Sequence, residues 1–296
     1  MRFKRLQQTL AMVVHVSGRG YWSGLPVTVS LEPAPPNTGI VFRRNDLPGK
    51  PSANAVSENR IETSLRTRLI DGDCTVDMVE HVMSALYAME IDNCIVHTDA
   101  CELPGLDGSA IAYALAIERA GVETQAEACR TVCIDAPFKL GDDQQWIMAL
   151  PSLDPGLQCE YRLDYGPNAV IAKSTFQAVL TPRCFIDEIA AARTFVTKTE
   201  AAQLQDRGLA LHVTHRDLLV FGAQGPIDNV LRFEDECSRH KLLDLVGDLA
   251  LSGVAVYGKI VAYRSGHILN GRMAQWLRSQ FDQARVQRTA IYRKAA

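Results

Sequence analysis

Over the first 30 positions apolar and polar residues alternate, in "AMVVHV" and "LPVTVSL". This is the period-two pattern of half-buried strands, with a Gly-rich turn between the two runs. "EPAPPNTG" and "NDLPGKPSANA" break the pattern with Pro, Asn and Gly and read as loops. From Asp77 to Met89 the period changes: Val79, Val82, Met83 and Leu86 recur at helical spacing. A β-like run, 91–98, follows. After the turn "LPGLDGS", "SAIAYALAIERA" reads as a helix with Ser109 as a possible cap and Gly121 at its end.

Polar "VETQAEA" after Gly121 is the best boundary, giving an N-terminal α/β sandwich domain over 1–125 and a C-terminal one over 126–296. The second half opens with strand-like "RTVCID", "QWIMAL" and "LQCEYRLDY". Helices are expected over "FIDEIAAARTF" or its first part, over "TEAAQLQDR" and over 236–252, with a strand at 256–263. Each half thus holds an amphipathic helix followed by a short strand, which predicts two similar domains of an α+β protein.

One predicted helix mixes its chemistry. In "RHKLLDLVGDLALSG", Leu242, Leu243, Leu245, Val246 and Leu249 form an apolar side, while His240, Asp244 and Asp248 fall in one stripe, a turn apart. That stripe is either a solvated ion-pair face or a site.

Composition narrows the classes. The chain has 296 residues, 47% hydrophobic and 22% charged, enough to bury a sizeable core. A formal charge of −3 argues against a nucleic-acid binder, though it permits a local basic pocket. No apolar stretch approaches the ~18–20 residues of a membrane helix, and the start does not read as a secretory signal. Eight cysteines include no C-x-x-C, the closest pair being Cys129 and Cys133. Buried thiols in a reducing compartment, the cytoplasm, are expected.

Several motifs are excluded. "GRGYWSG" is one residue too long for a dinucleotide fingerprint and precedes a strand; "GKP" lacks the spacing of a phosphate loop; G-x-S-x-G and H-E-x-x-H are absent. His212 and His215 look extended and would point to opposite faces, and His15 and His97, in or beside strand-like runs, read as structural. His240 and Asp244 can instead meet one cation from one helical turn. Glu80–His81 lies off its helix's apolar stripe, although Glu80 could simply complete a capping box with Asp77. His267 follows a strand beside a glycine. Together these pieces supply histidines and carboxylates for a three-ligand zinc site with an open position.

"VEHVMSALYAMEIDNCIVH", "ELPGLDGSA", "DEIAAARTF", "LRFEDECSRHKLLDLVGDLALSG" and "YRSGHILN", in that order, closely resemble the bacterial UDP-3-O-acyl-N-acetylglucosamine deacetylases, zinc enzymes of the committed step of lipid A synthesis. The early "SGRGYWSGLPVTVSLEPAPPNTGIVFRR" is also similar to that family, so the likeness spans nearly the whole chain. It implies two domains, each a sheet layered against helices, with the site between them. It also implies a zinc-dependent N-deacetylase acting on a UDP-linked acylated glucosamine. His81, His240 and Asp244 match its metal ligands, a set that Fe²⁺ could also occupy. Glu80 matches its catalytic glutamate, His267 and Asp248 its acid and that acid's partner, and Thr194 its oxyanion stabiliser. Lys241 and Phe195 match substrate-binding positions. The chain departs from the pattern at Trp22, where many relatives carry histidine, at Val196, where glycine is usual, and across "LHVTHRDLLVFGAQGPIDN"; these bear on acyl-chain preference more than on the chemistry. Two other readings are a non-catalytic homologue that binds a sugar nucleotide or lipid, and a zinc amidase for a different acylated amino sugar.

Overall fold

The computed structural model describes residues 5–63 and 65–295, with side chains described to Val286. Among these residues are six α-helices: α1 (Glu80–Ala88), α2 (Ile111–Ala120), α3 (Pro182–Cys184), α4 (Lys198–Asp206), α5 (Glu236–Ala250) and α6 (His267–Ala295). The chain is mixed α+β, with strands gathered into several sheets.

In the N-terminal half the alternating segments pair as expected. Val14–Arg19 runs antiparallel to Pro26–Pro33, and Cys94–Thr98 lies between Pro26–Pro33 and Ile40–Arg44, antiparallel to the first and parallel to the second. Ser52–Asn54 closes the edge. A smaller antiparallel sheet, Arg60–Ile61, Arg68–Asp71 and Cys74–Asp77, leads straight into α1. In the C-terminal half Ala255–Tyr263 is the central strand, flanked by Trp146–Leu150 and Leu157–Leu163, with Phe138–Gly141 and Ser174–Val179 outside them.

At the expected boundary, Val122–Ala128 is an exposed strand paired with Leu6–Leu10. "FIDEIAAARTF" is helical only at its start. A π-turn over Phe185–Ile189 follows α3, and Thr194 leads into the strand Phe195–Thr197, which pairs with Leu219–Gly222. His212 and His215 lie in turns rather than a strand.

The core holds α1 and α5 against each other. Val79, Val82, Met83 and Leu86 are buried, as are Leu242, Leu243, Leu245, Val246 and Leu249. Each such side chain contributes about 1.5–3 kcal/mol of burial. Close approach depends on Gly247, where an added Cβ would stand 2.1 Å from the Glu80 carbonyl oxygen. The polar sides of the two helices are buried too, the mark of helices packed all round.

Candidate metal centre and active site

Glu80 and His81 open α1. The capping-box reading of Glu80 fails, because α1 has no side-chain cap and Asp77 accepts instead from Arg66 at 3.1 Å and from Arg68 at 2.5 Å. Met78, buried with φ 62°, turns the chain from that strand into the helix. Such a φ is costly for a side chain of this size and is the kind of strain found beside functional groups.

The stripe on α5 is no solvated face. Exposure is 3% at His240, 4% at Asp244 and 0% at Asp248, with 2% at Glu80, 4% at His81 and 5% at His267. One potential ligand atom from each of His81, His240 and Asp244 lies within 4.8 Å of the others. Asp244 Oδ1 is 3.8 Å from His81 Nε2 and 3.4 Å from His240 Nε2. Tetrahedral ligands on bonds of about 2.1 Å stand about 3.4 Å apart, so the donors fit one small divalent cation. Their protonation agrees. Burial, and then the neighbouring His240, pushes His81 down to about 3; burial also lowers His240. His240 Nδ1–H donates to the Ala192 carbonyl at 3.1 Å, leaving Nε2 with its lone pair toward Asp244. Burial alone would raise Asp244, but the Lys241 ammonium, 2.6 Å away, outweighs it and holds the carboxyl well below its usual range. Lys241 is therefore committed to a candidate ligand.

On one flank stands Glu80. Its Oε2 accepts from the Thr67 N–H at 3.0 Å, and burial pushes it up to about 7 against the pull of His267. On the other, His267 Nδ1–H donates to Asp248 Oδ2 at 2.8 Å. Asp248 also accepts from Asn270 at 2.9 Å and from the Thr67 hydroxyl at 2.5 Å. Burial pulls His267 down, but the charge and hydrogen bond of Asp248 prevail and lift it to about 9. Its Nε2 is the nitrogen left for a ligand.

Thr194 Oγ1 lies 3.1 Å from His240 Nε2 and donates to Gly108 O at 3.0 Å. The loop reaches that close because Gly108 has φ +85° and no Cβ to meet Asp217 O. Phe195 meets the His240 ring edge-on at 6.1 Å. These groups line a cavity of about 540 Å³. Its lining includes the polar Glu80, His81, His240, Asp244 and His267 and the apolar Phe195, Val196, Leu204, Val213 and Leu218. Asp248 sits behind His267. Trp22 also lines the cavity, its indole N–H buried without a partner among the described residues. A second cavity, of about 390 Å³, opens at the far ends of α1 and α5 and holds none of these groups.

The profile of the UDP-3-O-acyl N-acetylglycosamine deacetylase family matches residues 7–279. The chain belongs to that family. Membership makes it an N-deacetylase, an amide hydrolase. The UDP-3-O-acyl-N-acetylglucosamine deacetylase of Anaeromyxobacter dehalogenans is 39% identical over 269 residues, covering 89% of this chain and 84% of that one. Its counterpart in Citrifermentans bemidjiense is 37% identical over 278 residues, 93% and 90% of the two chains. The bifunctional enzyme LpxC/FabZ of Bacteroides thetaiotaomicron is 33% identical over 308 residues, 95% of this chain and 66% of that protein. In this deacetylase fold all nine side chains read from the sequence gather within or directly behind one cavity. Thr67, Asn270 and Met78 were missed: each is a common residue type to which the sequence assigned no role, Asn270 even though it closes "YRSGHILN", and only the fold brings them to the site.

The remaining histidines stay outside it. His212 Nε2–H donates to Gly20 O at 2.9 Å, His215 lies 3.4 Å from Asp228, and His15 and His97 bond Ser30 and Glu32.

Proposed function

We propose that this deacetylase removes the acetyl group from the 2-acetamido nitrogen of a UDP-linked 3-O-acylated N-acetylglucosamine, the committed step of lipid A synthesis, in the cytoplasm. The observation that carries the reading is the convergence of two neutral imidazoles and a carboxylate between a buried carboxyl and an Asp-paired histidine on one cavity. The relatives' names supply the substrate class, and eight unpaired cysteines suit a reducing compartment.

His81, His240 and Asp244 would hold zinc, which when bound supplies Lewis acidity to the amide carbonyl and to the attacking water. Glu80 accepts a proton from that water as its oxygen attacks the carbonyl carbon. The Thr194 hydroxyl, swinging away from Gly108 O, donates to the developing oxyanion. His267, held protonated by Asp248, gives a proton to the nitrogen as the C–N bond breaks, so acetate and a free amine leave. Lys241 fixes Asp244 and adds positive charge to the substrate side, and Phe195 with its apolar neighbours forms the wall for the acyl chain.

The test offers UDP-3-O-acyl-N-acetylglucosamines of several chain lengths and follows acetate, with metal content measured on protein purified without added metal. Metal-dependent release is expected, and Glu80→Gln should lower kcat by about 10²–10⁴ with metal retained. No release at full metal occupancy, or release indifferent to chelation, overturns the reading. Stoichiometric iron instead of zinc would reassign the ion and leave the residue roles intact.

A further inference from the structure

Thr67 joins the two ends of the acid–base apparatus. It is 1% exposed and immediately precedes the strand Arg68–Asp71. Its N–H donates to Glu80 Oε2 at 3.0 Å, and its carbonyl accepts from Val79 N–H at 3.4 Å, at the start of α1. Its hydroxyl donates to Asp248 Oδ1 at 2.5 Å and lies 3.3 Å from His267 Nδ1. One residue thus contacts the base with its main chain and the partner of the acid with its side chain.

We propose that Thr67 is a positioning residue for deacetylation, a role that rests on the amide-hydrolase reading above: it sets the separation and orientation of Glu80 and the Asp248–His267 pair. The physical reason is that two buried carboxyls each need donors fixed in place. Thr67 supplies one to each from a single rigid point, its main chain tied to the start of α1 through Glu80 and Val79 and its β-branched side chain limited in χ1. Asp248 Oδ2 already accepts from His267 and Asn270, so the Thr67 hydroxyl is the one side-chain donor to Oδ1 among the described residues. Without it the carboxylate can turn, and the imidazole turns with it. A displacement of that kind lowers the rate of bond breaking with little effect on ground-state binding.

Metal-dependent acetate release by the unaltered enzyme tests the underlying reading alone. Thr67→Val then keeps the shape and the backbone amide but removes the hydroxyl. It should lower kcat about 10- to 100-fold with KM and metal content unchanged, while Thr67→Ser stays within about threefold of the parent. Once Asp248→Asn is present, Thr67→Val should add little further loss, because the two act through one imidazole. Independently of substrate, the His267 titration midpoint followed by NMR should move in Thr67→Val and stay in Thr67→Ser. Unchanged kcat and midpoint in Thr67→Val, equal losses in the serine and valine variants, or full additivity with Asp248→Asn would overturn the role. Should the valine variant fail to fold, Thr67→Ala against Thr67→Ser decides by the same kcat and midpoint comparison.

Discussion

At the residue scale, burial raises Glu80 to about 7 and the charge of Asp248 raises His267 to about 9, so the two flanks of the candidate metal centre titrate in different pH ranges. The proposed mechanism needs Glu80 deprotonated and His267 protonated. Turnover should therefore rise with pH through the Glu80 titration, which burial pushes up to about 7 and which a bound cation pulls lower. It should fall as pH passes about 9, where His267 loses its proton. Asp248→Asn removes the charge that opposes burial, so the alkaline limb should move down, toward or below the ordinary histidine value of 6.5. A pH–kcat profile of the two proteins checks the sign; an unmoved limb would take His267 out of the acid role. Trp22 makes a separate prediction. Its ring packs under the Arg66 guanidinium at 4.9 Å, its backbone N–H donates to Glu102 at 2.8 Å, and its indole N–H is buried without a partner among the described residues. Trp22→Phe keeps the ring and should raise KM about 2- to 10-fold, with kcat within about twofold, as expected for one lost hydrogen bond to substrate.

At the scale of elements, the site is the crossing of α1 and α5. Glycine inside a helix ordinarily costs up to about 1 kcal/mol against alanine, so Gly247→Ala on an isolated helix would stabilise. Here the new Cβ would meet the main chain of Glu80 at 2.1 Å, and neither helix can yield without moving the other. Destabilisation of about 1–3 kcal/mol is expected, with weaker metal retention, because Glu80 and His81 move with α1. Denaturant unfolding and competition with a chelator measure the two effects. A second tie holds α5 at its start: the Arg193 guanidinium donates to buried Glu236 at 2.7 Å, anchoring the 191–194 segment that carries Ala192 O and Thr194 to the helix bearing His240.

At the scale of the molecule, the proposed ligands come from both halves of the chain, His81 lying more than 150 residues before His240 and Asp244. Metal binding should therefore stabilise the whole fold. With free metal about 1,000-fold above its Kd, binding adds about 4 kcal/mol, so chelation should lower Tm by about 10 °C as well as stop turnover. A scan with and without chelator reads the difference, and an unchanged Tm would mean that the three donors hold no ion. Among the described residues no helix is long and apolar enough to cross a membrane.

Period alone determined much of this protein. The alternating runs at 14–19 and 26–33, the helices at 80–88 and 236–250 and their apolar faces follow from spacing, because side-chain direction repeats every 2 or 3.6 residues wherever the chain goes. The i,i+4 pairing of His240 with Asp244 was legible for the same reason. Tertiary structure decided the rest. Periodicity gives a polar stripe no sign of whether it faces water or a second helix, so the burial of Asp248 and Glu80 became visible only once α1 lay across α5. Thr67 and Asn270 carry no local signal, since a hydroxyl or an amide gains its role from the carboxylate the fold places beside it. The strand Val122–Ala128 was hidden because it is exposed along almost its whole length and buries no apolar face, and its pairing with Leu6–Leu10 depends on a partner more than 110 residues away.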